Sequence, residues 1–307
     1  MKWNKQGLIY APDGSLPWAK KYAFPPVPYF ISDDVLRIYL AFCDENMVGR
    51  AAYVDVSPQE PKKILKVSPE PILDIGQPGA FDENGLLPTT VLKVGDEIWM
   101  YYVGYQLGMK VRYYQFQGLA VSRDGGETFE RRQKVPVIDR SDAEMLNRTS
   151  AHVRRDGGGK FQMWYVGGSD WTMSGDKYLP VYNIKYLESA DGINWGGEGS
   201  VAIDFKDADE HALGKPFIIH AEGKYRMFFS SRTYSKKAYR IGYAESDDCL
   251  TWTRKDEEVG IDVSDSGWDS QSISYASVIR YRDRYYMFYN GNNLGETGFG
   301  YAILEQW

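Results

Sequence analysis

Glu97–Gly104 (EIWMYYVG) recurs with variation four more times along the chain: as Val35–Phe42 (VLRIYLAF), Lys160–Gly167 (KFQMWYVG), Lys224–Ser231 (KYRMFFSS) and Arg284–Gly291 (RYYMFYNG). Aligned on Leu40, Met100, Met163, Met227 and Met287, the copies stand 60, 63, 64 and 60 residues apart. A period that regular over a whole sequence means one supersecondary unit used five times. Around each copy the order is constant. A first segment such as Leu87–Val94 or Lys215–His220 meets a tight turn, VGDE at Val94–Glu97 or DGGGK at Asp156–Lys160, and the aromatic strand follows. A variable loop then leads to a third strand: Gly118–Ser122, Ile184–Ser189, Ile241–Ser246 or Phe299–Leu304. Gly- and Asp-rich turns between β-prone runs are hairpin signals. Five repeated meanders predict an all-β fold, a five-bladed β-propeller of four-stranded antiparallel blades spanning residues 1–307 as one domain. The last blade lacks a fourth strand after Trp307, so the segment around Lys5–Ala11 is expected to complete it and cover an open edge.

Composition suits this reading. The 307 residues are 43% hydrophobic and 15% aromatic, with 24 Tyr and 9 Trp. The net charge of −6 leaves no basic footprint for nucleic acid. Cys43 and Cys249 have no metal-type spacing, and no EF-hand, P-loop, dinucleotide or nucleophile-elbow motif occurs, so neither metal nor cofactor is expected. No run approaches the roughly 18 apolar residues of a membrane helix, and Met1–Tyr10 lacks a signal-peptide core, which predicts a cytoplasmic protein.

Three turns, Ser122–Phe129 (SRDGGETF), Ser189–Trp195 (SADGINW) and Ser246–Trp252 (SDDCLTW), follow or vary the Asp-box pattern S-x-D-x-G-x-T-[WF]. Aspartate there closes the turn onto backbone N–H groups and the ring packs between sheets, a structural role.

In a β-meander the start of the first strand and the loop after the second lie at one end, so two residue sets should meet at one channel mouth. Asp82, Glu210 and Asp269 precede first strands and are the candidate acid/base groups, since glycosidic cleavage needs one carboxyl to protonate the leaving oxygen and another as base or nucleophile. Asp82 or Asp269 would act as base and Glu210 as an acid of raised pKa. Glu83, Tyr105, Arg148, His152, Asp170, Trp171, His211, Arg232, Arg240, Trp268, Gln271 and Asn290 complete the expected substrate site, with rings to stack on sugar faces and arginines to hold hydroxyls or an anionic group.

Phe81–Pro88 (FDENGLLP), Gly118–Phe129, Gly260–Asp269 (GIDVSDSGWD) and Tyr289–Gly300 (YNGNNLGETGFG) make the chain resemble, over essentially its whole length, the five-bladed propeller glycosidase superfamily of families 43, 32, 68 and 130. Within it the likeness is to glycosidase-like proteins associated with bacterial surface-polysaccharide genes. The resemblance implies a carbohydrate partner, anionic or phosphorylated among the options, and action on a bacterial glycan or its precursor. The chain departs from the family pattern where blade 1 should supply a carboxylate: Tyr22–Phe30 (YAFPPVPYF) has none. Blade 3 offers Arg148 and His152, and Arg123-Asp124-Gly125 is no RDP motif. Asp82, Glu210 and Asp269 therefore rest on blade position alone. Beside hydrolysis stand phosphorolysis or glycosyl transfer, which need one acid, and a non-catalytic carbohydrate-binding propeller.

Overall fold

A computed structural model describes all residues, Met1–Trp307, and they are almost wholly β. Helical geometry is confined to single turns at Asp256–Glu258 and Asn292–Gly295. After strand β1 (Lys2–Tyr10), unit 1 comprises β2 (Lys21–Ser32), β3 (Val35–Cys43), β4 (Gly49–Val56) and β5 (Ile64–Val67). Unit 2 holds β6 (Leu86–Val94), β7 (Glu97–Leu107), β8 (Tyr113–Ser122) and β9 (Glu130–Arg131). Unit 3 holds β10 (Asn147–Arg155), β11 (Phe161–Ser174), β12 (Lys177–Ser189) and β13 (Ser200–Ile203). Unit 4 holds β14 (Glu210–Ala221), β15 (Lys224–Thr233), β16 (Tyr239–Ser246) and β17 (Thr253–Arg254). Unit 5 holds β18 (Ser274–Tyr281), β19 (Arg284–Asn290) and β20 (Phe299–Gln306), and β1 pairs antiparallel with β20 from Lys2 opposite Gln306 to Tyr10 opposite Phe299. Within every unit, consecutive strands pair antiparallel.

The repeated aromatic segments are the second strands, and their packing explains why their composition recurs. Each lies between two neighbouring units, so both faces are dry, and the few polar positions, such as Arg37 and Arg226, are buried against carboxylates. Met100 and Tyr102 pack on Tyr39 and Tyr53 of unit 1, whereas Trp99 and Tyr101 pack on Val153 and Met163 of unit 3. Trp164 meets Met227 and Phe229 of unit 4, and Phe228 meets Met287 and Tyr289 of unit 5. A fifth cluster joins Tyr286 and Phe288 of unit 5 to Leu36, Ile38 and Leu40 of unit 1. The repeated Leu or Met always faces the preceding unit, and all five of these side chains are 0% exposed. Strands buried on both faces read as near-continuous apolar runs, as here.

The first strands β2, β6, β10, β14 and β18 touch one another in turn, and β18 touches β2. Each breaks register at a similar depth: near Phe24, between Pro88 and Thr90, between Thr149 and His152, between Gly214 and Phe217, and between Ser274 and Ser277. Tyr22, Ser150, Lys215 and Tyr275 take positive φ there, at 61°, 54°, 44° and 57°. A β-bulge unpairs backbone groups, and buried ones need partners. Side chains of the preceding unit supply them. Gln117 accepts from Ala151 N at 2.9 Å and Ser230 from Tyr275 N at 2.8 Å, while Asn290 donates to Ala23 O and Ser277 to Pro26 O, both at 2.7 Å.

The Asp-box turns are structural. Asp124 Oδ1 accepts from Glu127 N and Thr128 N at 3.1 Å, and the Phe129 ring is buried between units 1 and 2. Tyr39 and Tyr101, each from the preceding unit, donate to the Gly126 and Gly192 carbonyls of these turns.

Trp3 on β1 packs edge-on against Phe228 and Trp307 and is 7% exposed, while its indole N–H has no partner. Trp3→Ala is expected to cost about 3–5 kcal/mol in urea unfolding. Trp3→Phe, which gives up no hydrogen bond, should cost less than about 1.5 kcal/mol.

Candidate functional site

The bulges aim one short stretch of every first strand at the axis. Pro25, Leu87 with Thr89, Ser150, Gly214 with Lys215, and Tyr275 together surround an axial cavity of about 50 Å³. That is space for a few waters and too little for a sugar ring. No Asp or Glu lines it. Its one charged side chain is Lys215, 1% exposed, whose Nζ donates to Ser277 Oγ at 2.6 Å and lies 3.5 Å from Pro26 O. No carboxylate pairs with this amine, and burial lowers its pKa to about 7.

Above the cavity the second and third strands run on past the bulge and carry aromatic residues to the mouth. Tyr105, Tyr113 and Trp171 form an edge-to-face chain with centroids 5.6 and 5.9 Å apart. Opposite them Tyr182 and Tyr239 share a 2.8 Å hydroxyl–hydroxyl bond, and Tyr239 lies 5.9 Å from Tyr275. Gln115 donates to Tyr105 Oη at 2.9 Å, and the Arg232 guanidinium sits 5.6 Å from the Tyr239 ring. Burial raises the pKa of all five tyrosines above the ordinary value, so their hydroxyls stay protonated as neutral donors. The Trp171 indole N–H has no partner within the protein. Rings with free donors along one wall suit a flat, hydroxyl-rich ligand.

The expected acid/base groups Asp82, Glu210 and Asp269 do not line the axial cavity, and each is held by donors of the protein. Asp82, 0% exposed, accepts from Arg131 Nε at 2.8 Å and Tyr102 Oη at 3.0 Å through one oxygen. Asp269 accepts from Lys5 Nζ at 2.8 Å and Tyr289 Oη at 3.0 Å. Glu210 takes both Arg254 Nη groups at 2.7 Å, Ser231 Oγ at 2.5 Å and Lys206 N at 2.9 Å. Burial pushes the Glu210 carboxyl upward, but these donors outweigh it and the pKa ends below the usual value, the reverse of a general acid. A fourth acid of this kind, Glu144, ties Arg148 at 2.6 Å, Lys185 at 2.8 Å and the Tyr165 hydroxyl. In units 2, 4 and 5 the pattern is one device: an acid before the first strand clamps a cation on the outermost strand.

Other expected contacts divide between mouth and frame. Tyr105, Trp171 and Arg232 meet at the mouth, and His211 stacks on Tyr234 with centroids 4.6 Å apart. Asp170 is exposed beside Trp171 and forms no ion pair, and Glu83 receives Gly79 N at 2.6 Å. Arg148 also donates to the Asp139 and Gly197 carbonyls, and Arg240 pairs with Asp262 and donates to the Gln271 carbonyl. Trp268 packs on Tyr289, and Asn290 is buried on Ala23. Arg148, Arg240, Trp268 and Asn290 thus each have partners within the protein. His152 lies deeper along its strand, against Phe217, at the far end of the channel. Sequence reasoning missed Tyr113, Gln115, Tyr182, Tyr239 and Tyr275. The signal available was that each lies at a first-strand bulge or just before or at the start of a third strand.

No protein-family model matches the chain. It is 36% identical over 305 residues to Uncharacterized protein Rv1502 of Mycobacterium tuberculosis (strain ATCC 25618 / H37Rv), covering 99% of this chain and 100% of that protein. Among solved structures it is similar to a thermostable family-43 glycoside hydrolase, with TM-score 0.69 and 19% identity, covering 96% of this chain and 91% of the other. It is also similar to a structure from a study of the family 130 mannoside phosphorylases that contain glycoside hydrolases targeting β-1,2 mannosidic linkages in Candida mannan. That match has TM-score 0.71 and 15% identity, covering 98% of this chain and 93% of the other.

Removing one partner of a buried pair strands the other charge, so Glu210→Gln and Arg254→Met are each expected to cost about 3–5 kcal/mol in urea unfolding. Glu210, depressed below its unfolded value of 4.5, stabilises the fold above that pH and loses the contribution as pH falls through its folded pKa, so Glu210→Gln should flatten the acid limb. Lys215, also depressed, acts in the same direction but in a higher pH window. Between pH 7 and 10.5 the unfolded chain holds a proton that the folded one lacks, so stability rises with pH across that window, and Lys215→Met should abolish the rise.

Proposed function

The chain belongs to the family of the mycobacterial protein Rv1502 and carries the fold of family 43 and 130 glycoside hydrolases, and from these premises we propose that it is a carbohydrate-binding five-bladed propeller that engages a glycan at its aromatic mouth without hydrolysing it. Residues 1–307 form one domain whose five meanders are the blades and whose ring is closed by β1 on β20. The contact of β18 with β2 and the core cluster shared by units 5 and 1 support closure.

The observation that carries the functional reading is the lining of the axis. Glycosidases need two carboxyl groups about 5–10 Å apart across the scissile bond. Here the axial cavity has no Asp or Glu; Asp82, Glu210 and Asp269 are held in ion pairs, and the exposed Asp170 beside Trp171 supplies a single carboxyl. What the mouth does offer is binding chemistry. Tyr105, Tyr113 and Trp171 give a stacking wall, the tyrosine hydroxyls give donors, and Arg232 gives a fork for a carboxylate or another anionic substituent. The partner is a bacterial glycan of the surface-polysaccharide kind, its acidic sugars preferred. Two buried, unpaired thiols, Cys43 and Cys249, support a cytoplasmic setting in which the ligand is a polysaccharide precursor.

Calorimetric titration of neutral and uronic-acid oligosaccharides, with parallel assays of reducing-end release in the presence and absence of phosphate, tests this reading. Saturable binding is expected without turnover, weakened about tenfold or more in Trp171→Ala and, for acidic sugars, in Arg232→Gln. Turnover of any oligosaccharide that is lost in Glu210→Gln while the fold persists would overturn it.

A further inference from the structure

A second cavity, of about 320 Å³, opens at the opposite end of the channel. The first strands set this polarity. Residues before or at each bulge line the axial cavity, and residues beyond it line the second: Thr90–Lys93 on β6, His152–Arg155 on β10 and Phe217 on β14. Its charged lining is Lys93, Arg154 and Arg155, with no Asp or Glu, in a chain whose net charge is −6.

These cations differ from the others in the molecule. The buried Arg37, Arg148 and Arg226 and the half-buried Arg254 each hold a carboxylate. Arg154 is instead fixed by Gln162, which accepts from its Nε at 2.9 Å, and by the Tyr225 and Trp164 rings at 4.5 and 5.6 Å. Its terminal nitrogens bond to nothing in the protein. Arg155 is braced in the same way, with Nε toward Gly159 O at 3.3 Å and its head 5.1 Å from the Phe161 ring. His152 is 8% exposed and its Nδ1 has no partner. Burial and the nearby positive charges of Lys215 and Arg154 lower its pKa to about 3, so the ring is neutral and one of its nitrogens carries a proton to donate. Guanidinium groups pre-set by stacking, with free forks and no competing acid, are built to receive an anion with several oxygens.

We propose that this second cavity is a phosphoryl-binding site, in which Arg154 forks the phosphate oxygens, His152 on the same strand face contributes a neutral hydrogen bond, and Arg155 and Lys93 add positive charge at the rim. Three cations around one pocket match a dianion better than a single carboxylate. The ligand is inorganic phosphate or the phosphate of a phosphomonoester, the latter gaining contact with Phe217 and Val27. The proposal is independent of the glycan reading at the other mouth.

The test is titration of the full chain at low ionic strength with inorganic phosphate and with glycerol 3-phosphate, followed by calorimetry and phosphorus NMR. Saturable one-to-one binding that weakens with added salt is expected. Arg154→Gln and Arg155→Gln should each weaken it about tenfold. Lys62→Gln, an equal change of charge at an exposed residue elsewhere, should leave it intact, and thermal melting of each variant verifies the fold. Tighter binding of the ester identifies an organic phosphate as the ligand, and equal binding identifies the free ion; both support the site. Absence of binding at millimolar phosphate, or equal affinity in wild type, Arg154→Gln and Arg155→Gln, would overturn it.

Discussion

The bulge in each first strand is the constraint on which the rest of the molecule depends. A strand entering the axis must turn its backbone there, and the turn strips peptide groups of ladder partners in a dry interior, where an unmade bond costs about 1–3 kcal/mol. At three of the five junctions the chain meets this by lending side chains from the preceding unit: Gln117 to Ala151, Ser230 to Tyr275, and Asn290 and Ser277 to Ala23 and Pro26. The links that stitch neighbouring units are thus the same links that let the axis exist. In four of the five first strands the bulge also separates residues lining the axial cavity under the tyrosines from residues lining the cationic cavity.

Electrostatics follows the same division. Acids are drawn to the outside of the units, where Asp82, Glu210 and Asp269 clamp Arg131, Arg254 and Lys5 on the outermost strands. The two axial cavities are left without acids although the whole chain is acidic. Local potential, not net charge, decides what such a channel attracts. The fold is shared with glycoside hydrolases, and in this chain no Asp or Glu lines the axial cavity.

Much of the fold was legible because a strand with two dry faces leaves an unbroken apolar signature. VLRIYLAF, EIWMYYVG and their sister segments fall within the second strands of the units, and the Asp-box turns hold their aspartates against backbone N–H groups. The site was legible only in part. Tyr105, Trp171 and Arg232 meet at the mouth because long loops after second strands do gather at one end. The ion pairs of the acids were not legible because their partners are remote in sequence: Arg254 lies 44 residues from Glu210, and Lys5 lies 264 residues from Asp269. Tyr182, Tyr239 and Tyr275 escaped notice since 24 tyrosines of similar setting differ only in where bulges aim them, which a repeat period does not encode.

The most direct test is a crystal structure of the chain soaked with an acidic oligosaccharide. The account predicts sugar rings stacked along Tyr113 and Trp171, with the acidic group turned to Arg232 and no carboxylate of the protein at the glycosidic oxygen. A sugar seated with that oxygen against Asp82, Glu210 or Asp269 would contradict it.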